Sequence, residues 1–568
     1  MKAIITFVVT TSLVYGQSPP LVNIPTLGTV EGGYGESLEG RSFYAFEGVP
    51  YARPPVGKYR FREPTPLKPW HDIWTAKTIY KCMQYNQYTP PGEDFVIGDE
   101  DCLYLNIYTP RLDQNAKLDV IVYIHGGAFM FLYGGFQGPQ YIMDKDIVYV
   151  NLNYRLGPLG FLSAENEILP GNNGMKDQIF ALQWIQENVK YFGGNPNSVT
   201  IFGMSAGGAS IHFHYLSPKS RGLFHRGISQ SGTMLNPWVL VEKPLEKTKK
   251  LAANVGCSTK QTKSMVECLK RRPAKQIVAS VKEFQPWLYN PFSPFGLVVD
   301  SWSADPVLPS HPYNLIRNKQ VADLPWIASF TSSEGLYPAA DFYGQEEFLN
   351  DIDVHWNELL PFILDYNNTV DPELLDQLSQ KIRKHYLGDK KVSKSTFLEF
   401  VKILTDRIFA VDIQKAVRLQ SSAVTQPVYL YYFTHRGAHS KSEARSGTNL
   451  DFGAAHGDDT SYIFKTNVNM TSTEDDKSMV QLLVELVTSY AKTGKPNVPI
   501  EWPALSKNVK EPLIFLKIAS PKNLTIERED LENAKFWESL PIKENEKLGN
   551  SSIGEFTNFG ESPRRFWK

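Results

Sequence analysis

The sequence predicts an α/β fold built on a large, mostly parallel central sheet flanked by helices. Three observations carry that expectation. Short runs rich in β-branched and aromatic residues are apolar nearly throughout, as in strands covered on both faces. These runs alternate with segments of helical period. One of them leads directly into Gly203-Met204-Ser205-Ala206-Gly207, a glycine-flanked serine between a strand and a helix.

Taken in chain order, residues 1–16 read as a secretory signal peptide. Lys2 supplies the positive start, an apolar stretch follows, and Val14 and Gly16 are small enough for cleavage. The stretch is too short to span a bilayer. Residues 120–124 form the first clear strand, and 147–152 the second. Residues 177–189 have helical spacing, with Ile179, Leu182, Ile185 and Val189 on one stripe and Gly193-Gly194 just beyond. Strands follow at 199–202, 326–330 and 428–433, and the more charged region from 340 to 425 reads as helical insertions on one side of the sheet. Length alone would suggest three or four domains. Without a repeat, linker or low-complexity stretch, residues 17–568 read as one domain.

Composition excludes some functions. There are 59 Lys+Arg against 60 Asp+Glu, a net charge of -1, so no concentrated basic surface for nucleic acid is expected. Hydrophobic residues at 42% exclude intrinsic disorder. The four cysteines, Cys82, Cys102, Cys257 and Cys268, suggest two disulfides in a secreted chain, most simply between sequence neighbours, although other pairings are possible. None has zinc-type spacing, so no metal site is expected. Acceptor sequons stand at Asn367, Asn469, Asn523 and Asn550. No later run is apolar and long enough for a membrane anchor, and no feature bears on oligomeric state. The expected location is extracellular.

The serine motif has a mechanical reason. So tight a strand-to-helix turn strains the serine and needs glycines beside it, and it projects Ser205 Oγ above the sheet. The turn His125-Gly126-Gly127-Ala128-Phe129 follows the first strand. Its backbone N–H groups at Gly127 and Ala128, with that of Ala206, are the expected oxyanion donors. Phe129, Met130, Phe131 and Tyr133 either line a pocket there or simply pack. His212 and His214 read as packing or polar surface.

At this point the chain resembles the type-B carboxylesterase and cholinesterase family over about residues 20–540. Phe192 to Gly207 matches the family's serine signature, and Glu100-Asp-Cys-Leu-Tyr-Leu-Asn-Ile107 its second signature. Gly48 to Pro55, Asn153-Tyr-Arg-Leu156 and Gly171 to Gln178 are further family blocks. The resemblance implies an α/β-hydrolase fold and hydrolysis of small-molecule carboxylic esters through an acyl-enzyme on Ser205, with no cofactor. It also implies the remaining triad members, Glu334 in Ser333-Glu334-Gly335 and His456 in Gly453-Ala-Ala-His456-Gly-Asp-Asp459. The order Ser, Glu, His is that of the fold. Ser231 and Asp459 would be supports by the same analogy, or make local hydrogen bonds only.

Departures narrow the reading. Met204 stands where the family usually has glutamate and juvenile hormone esterases glutamine, which argues against the hormone assignment and is more similar to insect general esterases. Between Cys82 and Cys102 there is no tryptophan to hold a quaternary ammonium, and Phe95 is the only phenylalanine, so a choline preference is not expected. Non-catalytic adhesion relatives usually lack the serine or histidine and carry an anchor, whereas this chain keeps all three triad residues.

Overall fold

The computed structural model describes residues 18–89, 92–530 and 533–545. The expected signal peptide and Asn550 lie outside them. Among the described residues the largest sheet has eleven strands. They are β1 (Gly33–Glu36), β2 (Ser42–Pro50), β3 (Tyr104–Thr109), β4 (Leu118–Ile124), β5 (Ile147–Leu152) and β6 (Gly194–Met204), then β7 (Arg226–Gln230), β8 (Trp326–Thr331), β9 (Val428–Phe433), β10 (Ile514–Ser520) and β11 (Asn523–Arg528). Across the sheet the order is β11-β10-β9-β8-β7-β6-β4-β5-β3-β2-β1.

The pairings from β10 through β5 are all parallel. The two margins, β11 on one side and β3, β2 and β1 on the other, are antiparallel. All five expected strands lie in the parallel part. β7 escapes a sequence reading because Arg226-Gly-Ile-Ser-Gln230 is half polar, although four of its five residues are buried. β11 is a margin strand with no buried residue.

Alternation of side chains splits the core between the two sheet faces. Val120, Val122, Ile124, Val148, Val150, Val199 and Ile201 pack on one face. Ile121, Tyr123, Ile147, Tyr149 and Phe202 pack on the other. The first face is covered by α1 (Asn173–Asn188) and α2 (Ala206–Leu216), whose Met175, Leu182, Ile185, Ile211 and Phe213 join its core. α1 starts four residues before the expected helix. In the charged region lie α3 (Leu336–Gly344), α4 (Phe397–Leu404) and α5 (Val411–Ala423), with a π-helical stretch, Thr405–Ala410, between the last two.

The second face is covered by α6 (Glu474–Thr493). Met479, Leu483, Leu486 and Tyr490 recur at spacings of three or four on its buried side. Thr473 caps its start by accepting the N–H of Asp476 at 3.1 Å, and Gly494 ends it at a φ of 76°. Burying each such side chain stabilises by roughly 1.5–3 kcal/mol.

The cysteines pair as sequence neighbours, Cys82 with Cys102 and Cys257 with Cys268. The family blocks are in large part scaffold. Arg155 grips Asp177 through Nε at 2.7 Å and Nη2 at 2.6 Å, both side chains being buried. Arg60 grips Glu100 in the same forked way at 2.6 Å twice. Among the described residues no helix is long and apolar enough to cross a membrane. Asn469 and Asn523 are exposed, whereas Asn367 is half-buried.

Candidate active site

β4 has β5 on one side and β6 on the other, so the strand order reverses there. Ligands of open α/β sheets sit outside the carboxyl ends of the strands at such a switch point. The two motifs lie at those ends, the glycine turn after β4 and the serine after β6.

Ser205 joins β6 to α2 with φ 62° and ψ −124°, a conformation costing a non-glycine residue about 1–3 kcal/mol. Its N–H donates to Gln230 O at 2.8 Å, which ties the turn to β7. Gly207 has no room for a side chain, since a Cβ would stand 2.0 Å from Ile124 O at the end of β4. Gly126 also presses on the turn, where a Cβ would stand 2.5 Å from Met204 O. The elbow and the glycine turn are therefore in direct contact.

Beyond that contact, Gly127, Ala128 and Phe129 take positive φ values of 92°, 55° and 61° in succession. Gly127 O closes the turn by accepting from Met130 N and Phe131 N at 2.8 and 3.0 Å, and Ala128 O accepts from Ser293 Oγ at 3.0 Å. Ala206 opens α2, where the first N–H groups have no partner inside the helix and carry its positive dipole end. An oxyanion above Ser205 would find such donors.

Glu334 and His456 come together because their loops are zipped to each other. Ser333 N donates to Ala454 O at 2.9 Å, Ser333 Oγ to Phe452 O at 2.7 Å, and Ala454 N to Ser332 Oγ at 3.0 Å. His456 Nδ1 then lies 2.5 Å from Glu334 Oε2, with Glu334 wholly buried. The other carboxylate oxygen accepts from Ser231 Oγ at 2.5 Å and from the backbone N–H of Thr331 at 2.6 Å. The thioether of Met204 and the ammonium of Lys441 both lie against Gly457, so the elbow meets the histidine loop there. Burial lowers the Lys441 pKa against the pull of Asp458, Asp459 and Glu334.

Of the two expected supports, Ser231 touches Glu334 directly. Asp459 touches none of the three and works through a neighbour. Its Oδ2 accepts from Gln230 Nε2 at 3.0 Å and Tyr431 OH at 2.8 Å, and Gln230 is the residue whose carbonyl holds Ser205 N–H. Burial, with a smaller contribution from Glu334, pushes the Asp459 carboxyl up to about 6.

Other contacts carried no sequence signal. Phe409, on the π-helical stretch, packs on His456 with ring centroids 4.5 Å apart, and Tyr337 stacks on it at 5.4 Å. That stretch is held by Asn236 Nδ2, which donates to Ile408 O and Phe409 O at 3.0 Å each, and by Trp238 Nε1, which donates to Ile408 O at 2.9 Å. Thr405 Oγ1 on the same stretch accepts the N–H of Gly335 at 2.9 Å, so one element braces the surroundings of both Glu334 and His456. A π-helical stretch at such a place is a frequent feature of functional sites.

Three of the other histidines, His125, His212 and His214, are structural. His212 and His214 are packed and fully buried, not surface. His214 bonds Ser220 Oγ at 2.8 Å and Gln178 Oε1 at 3.1 Å. Burial takes both down to about 3, and His125, stacked on Tyr154, to about 4. Phe129, Met130 and Phe131 are all buried core residues, Phe131 meeting Tyr88 at 5.5 Å, and Tyr133 is half-buried. A cavity of about 300 Å³ bordered by Met234, Trp302, Tyr313 and Glu544 has none of Ser205, Glu334 and His456 in its lining. Among the described residues no group of three or more His, Cys, Asp or Glu could hold a metal ion.

The model of the carboxylesterase family matches residues 18–537. Venom carboxylesterase-6 of Apis mellifera is 43% identical over 523 residues, which cover 91% of this chain and 94% of that protein. Esterase E4 of Myzus persicae is 41% identical over 507 residues, 86% of this chain and 90% of that one. Among solved structures, juvenile hormone esterase from Manduca sexta, with OTFP covalently attached, matches with a TM-score of 0.79 and 26% identity, over 94% of this chain and 100% of that one. The fold is that of the α/β hydrolases.

Proposed function

The chain belongs to the carboxylesterase family, and from that premise we propose that it is a secreted serine esterase that hydrolyses small carboxylic esters through an acyl-enzyme on Ser205. The observation that carries the reading is the 2.5 Å contact between His456 Nδ1 and buried Glu334. A carboxylate there keeps the proton on Nδ1 and leaves the Nε2 lone pair free. A serine hydroxyl is a weak nucleophile, so Nε2 takes its proton as Ser205 Oγ attacks the ester carbonyl. Negative charge on the carbonyl oxygen is met by the N–H groups of Gly127, Ala128 and Ala206, each such donor being worth about 10²–10³ in rate. The imidazolium, stabilised by Glu334, returns the proton to the departing alcohol. Water repeats the sequence on the acyl-enzyme and frees the acid.

Secretion is supported by the character of residues 1–16, by two disulfides, which persist in oxidising compartments, and by a venom relative. The exposed Asn469 and Asn523 would then be glycan acceptors. A single domain over residues 17–568 is supported by one sheet that draws strands from Gly33 to Arg528. Met204, with 43% and 41% identity to venom carboxylesterase-6 and esterase E4 against 34% to the juvenile hormone esterase of Tribolium castaneum, favours a general carboxylesterase over a hormone-specific one. The test is hydrolysis of p-nitrophenyl esters from acetate to octanoate by the wild type and by Ser205→Ala. Activity lost in the variant supports the reading, and activity retained in it refutes it.

A further inference from the structure

The cavity of about 300 Å³ whose lining leaves out Ser205, Glu334 and His456 has the size and mixed walls of a small-molecule site. Its apolar lining is Met234, Leu240, Val241, Val298 and Trp302. Several polar groups at its border lack partners among the described residues. Thr369 Oγ1 and Glu544 Oε2 are buried with no hydrogen bond, and a bond from Lys543 N to Thr369 O at 2.9 Å keeps their two segments together. Tyr313 is 8% exposed, and its hydroxyl likewise has no partner among the described residues. Unpaired buried polar groups are costly, so these three call for a molecule that can both donate and accept.

Charge does not select the occupant. Asp412 takes Lys415 Nζ at 3.1 Å, and Glu544 Oε1 takes Arg407 Nη2 at 2.9 Å. The other acids and lysines of the lining, Glu165, Glu242, Lys243 and Lys543, are exposed and of both signs. An ionic ligand would give up its hydration without gaining a net counter-charge. An uncharged molecule with a hydroxyl and an aliphatic body meets the unpaired groups and the apolar wall together. Two elements at this cavity also hold the surroundings of His456. Asn236, in the lining, is the residue whose amide grips Ile408 O and Phe409 O. Asp412 and Lys415 border the cavity from α5, which continues the π-helical stretch carrying Phe409. A molecule that fills the cavity limits how far either element can shift, and so holds Phe409 on His456.

We propose that this cavity is a second binding site, for an uncharged aliphatic alcohol, and that its occupant favours turnover by bracing Phe409 against His456. Binding stands on the cavity alone, whereas the effect on turnover rests on the esterase reading. Ester hydrolysis releases an alcohol, so the reaction itself supplies a ligand of this class.

The probe is 2-methyl-2-heptanol, a tertiary alcohol too hindered to take up an acyl group readily, titrated by calorimetry. The wild type should bind it at a site that Leu240→Trp, which fills the cavity, removes. Tyr313→Phe loses a single oxygen and should bind it roughly 3–10-fold more weakly. The binding that Leu240→Trp removes should be weaker for octanoate and for octylammonium than for the alcohol. No binding by the wild type, undiminished binding by either variant, or tighter binding of either ion at this site overturns the proposal. If Leu240→Trp fails to fold, Tyr313→Phe decides. At saturating p-nitrophenyl butyrate the alcohol should raise the wild-type kcat by about twofold or more and leave that of Leu240→Trp unchanged. An unchanged or lowered wild-type kcat overturns the coupling to His456. Hydrolysis of no ester by the wild type, with the variant-sensitive binding present, refutes the esterase reading and leaves the binding site standing.

Discussion

Replacing Glu334 by glutamine preserves shape and removes one charge, and the structure says which way the amide must point. The oxygen facing Ser231 also accepts the backbone N–H of Thr331 at 2.6 Å, a donor that cannot turn round. An amide NH₂ in that place would face another donor, so the amide oxygen takes it and the NH₂ is directed at His456 Nδ1. The imidazole must then accept at Nδ1 and carry its proton on Nε2, the wrong tautomer for a base toward Ser205. The expected loss is about 10⁴ in kcat, or about 5.5 kcal/mol, by analogy with the same tautomer change in another serine hydrolase. The assay is steady-state hydrolysis of p-nitrophenyl butyrate at pH 8, with thermal unfolding to establish that the variant folds. A folded Glu334→Gln enzyme that keeps more than about a tenth of wild-type kcat would refute the tautomer argument.

Three further outcomes follow from the same geometry. Ser231→Ala removes one of two donors to a buried carboxylate oxygen, so kcat should fall by roughly 10–100-fold with KM little changed; a wild-type kcat would show that Thr331 N–H suffices. Cys82→Ser/Cys102→Ser opens a loop of sequence separation 20 and should cost about 3 kcal/mol, read from the urea unfolding midpoint. His214 is held at about 3 by burial and would titrate near 6.5 when unfolded. Because its folded value is depressed, its share of stability is full above pH 6.5 and is lost as pH falls toward 3. Relative to His214→Gln, the wild type should therefore lose about 1.4 kcal/mol per pH unit in that window, and a parallel pH dependence of the two would contradict the assignment.

What the sequence made legible is what chemistry forces into local order. The elbow at Ser205 needs glycines within two residues of the serine, and the turn at 125–128 needs backbone freedom, so both leave a readable mark. The parallel strands are readable because burial on both faces demands apolar runs. β7 is not, since its Ser229 and Gln230 are buried through hydrogen bonds, to Gly208 O and to Asp459 among others. Contacts between distant segments leave no local mark. Ser231, expected as a support only through the family resemblance, reaches Glu334 across 103 residues, and Asn236, which nothing in the sequence pointed to, reaches the π-helical stretch across more than 170. The pattern Cys82–Cys102 indicated a loop without tryptophan, but not that Tyr88 would turn onto Phe131 with Arg445 over its ring. His212 and His214 show the same limit, for two positions apart on a helix did not prevent both from being enclosed.

Hydrolysis by the proposed route requires that Ser205 become acylated. The most direct measurement treats the protein with a stoichiometric organophosphate, such as diisopropyl fluorophosphate, and maps the adduct by mass spectrometry alongside residual activity. The expected result is one adduct per chain, on the peptide containing Gly203-Met204-Ser205-Ala206-Gly207, formed in step with loss of hydrolysis and absent from Ser205→Ala. Inactivation with the adduct on another residue, or full hydrolysis while Ser205 is modified, would contradict the account.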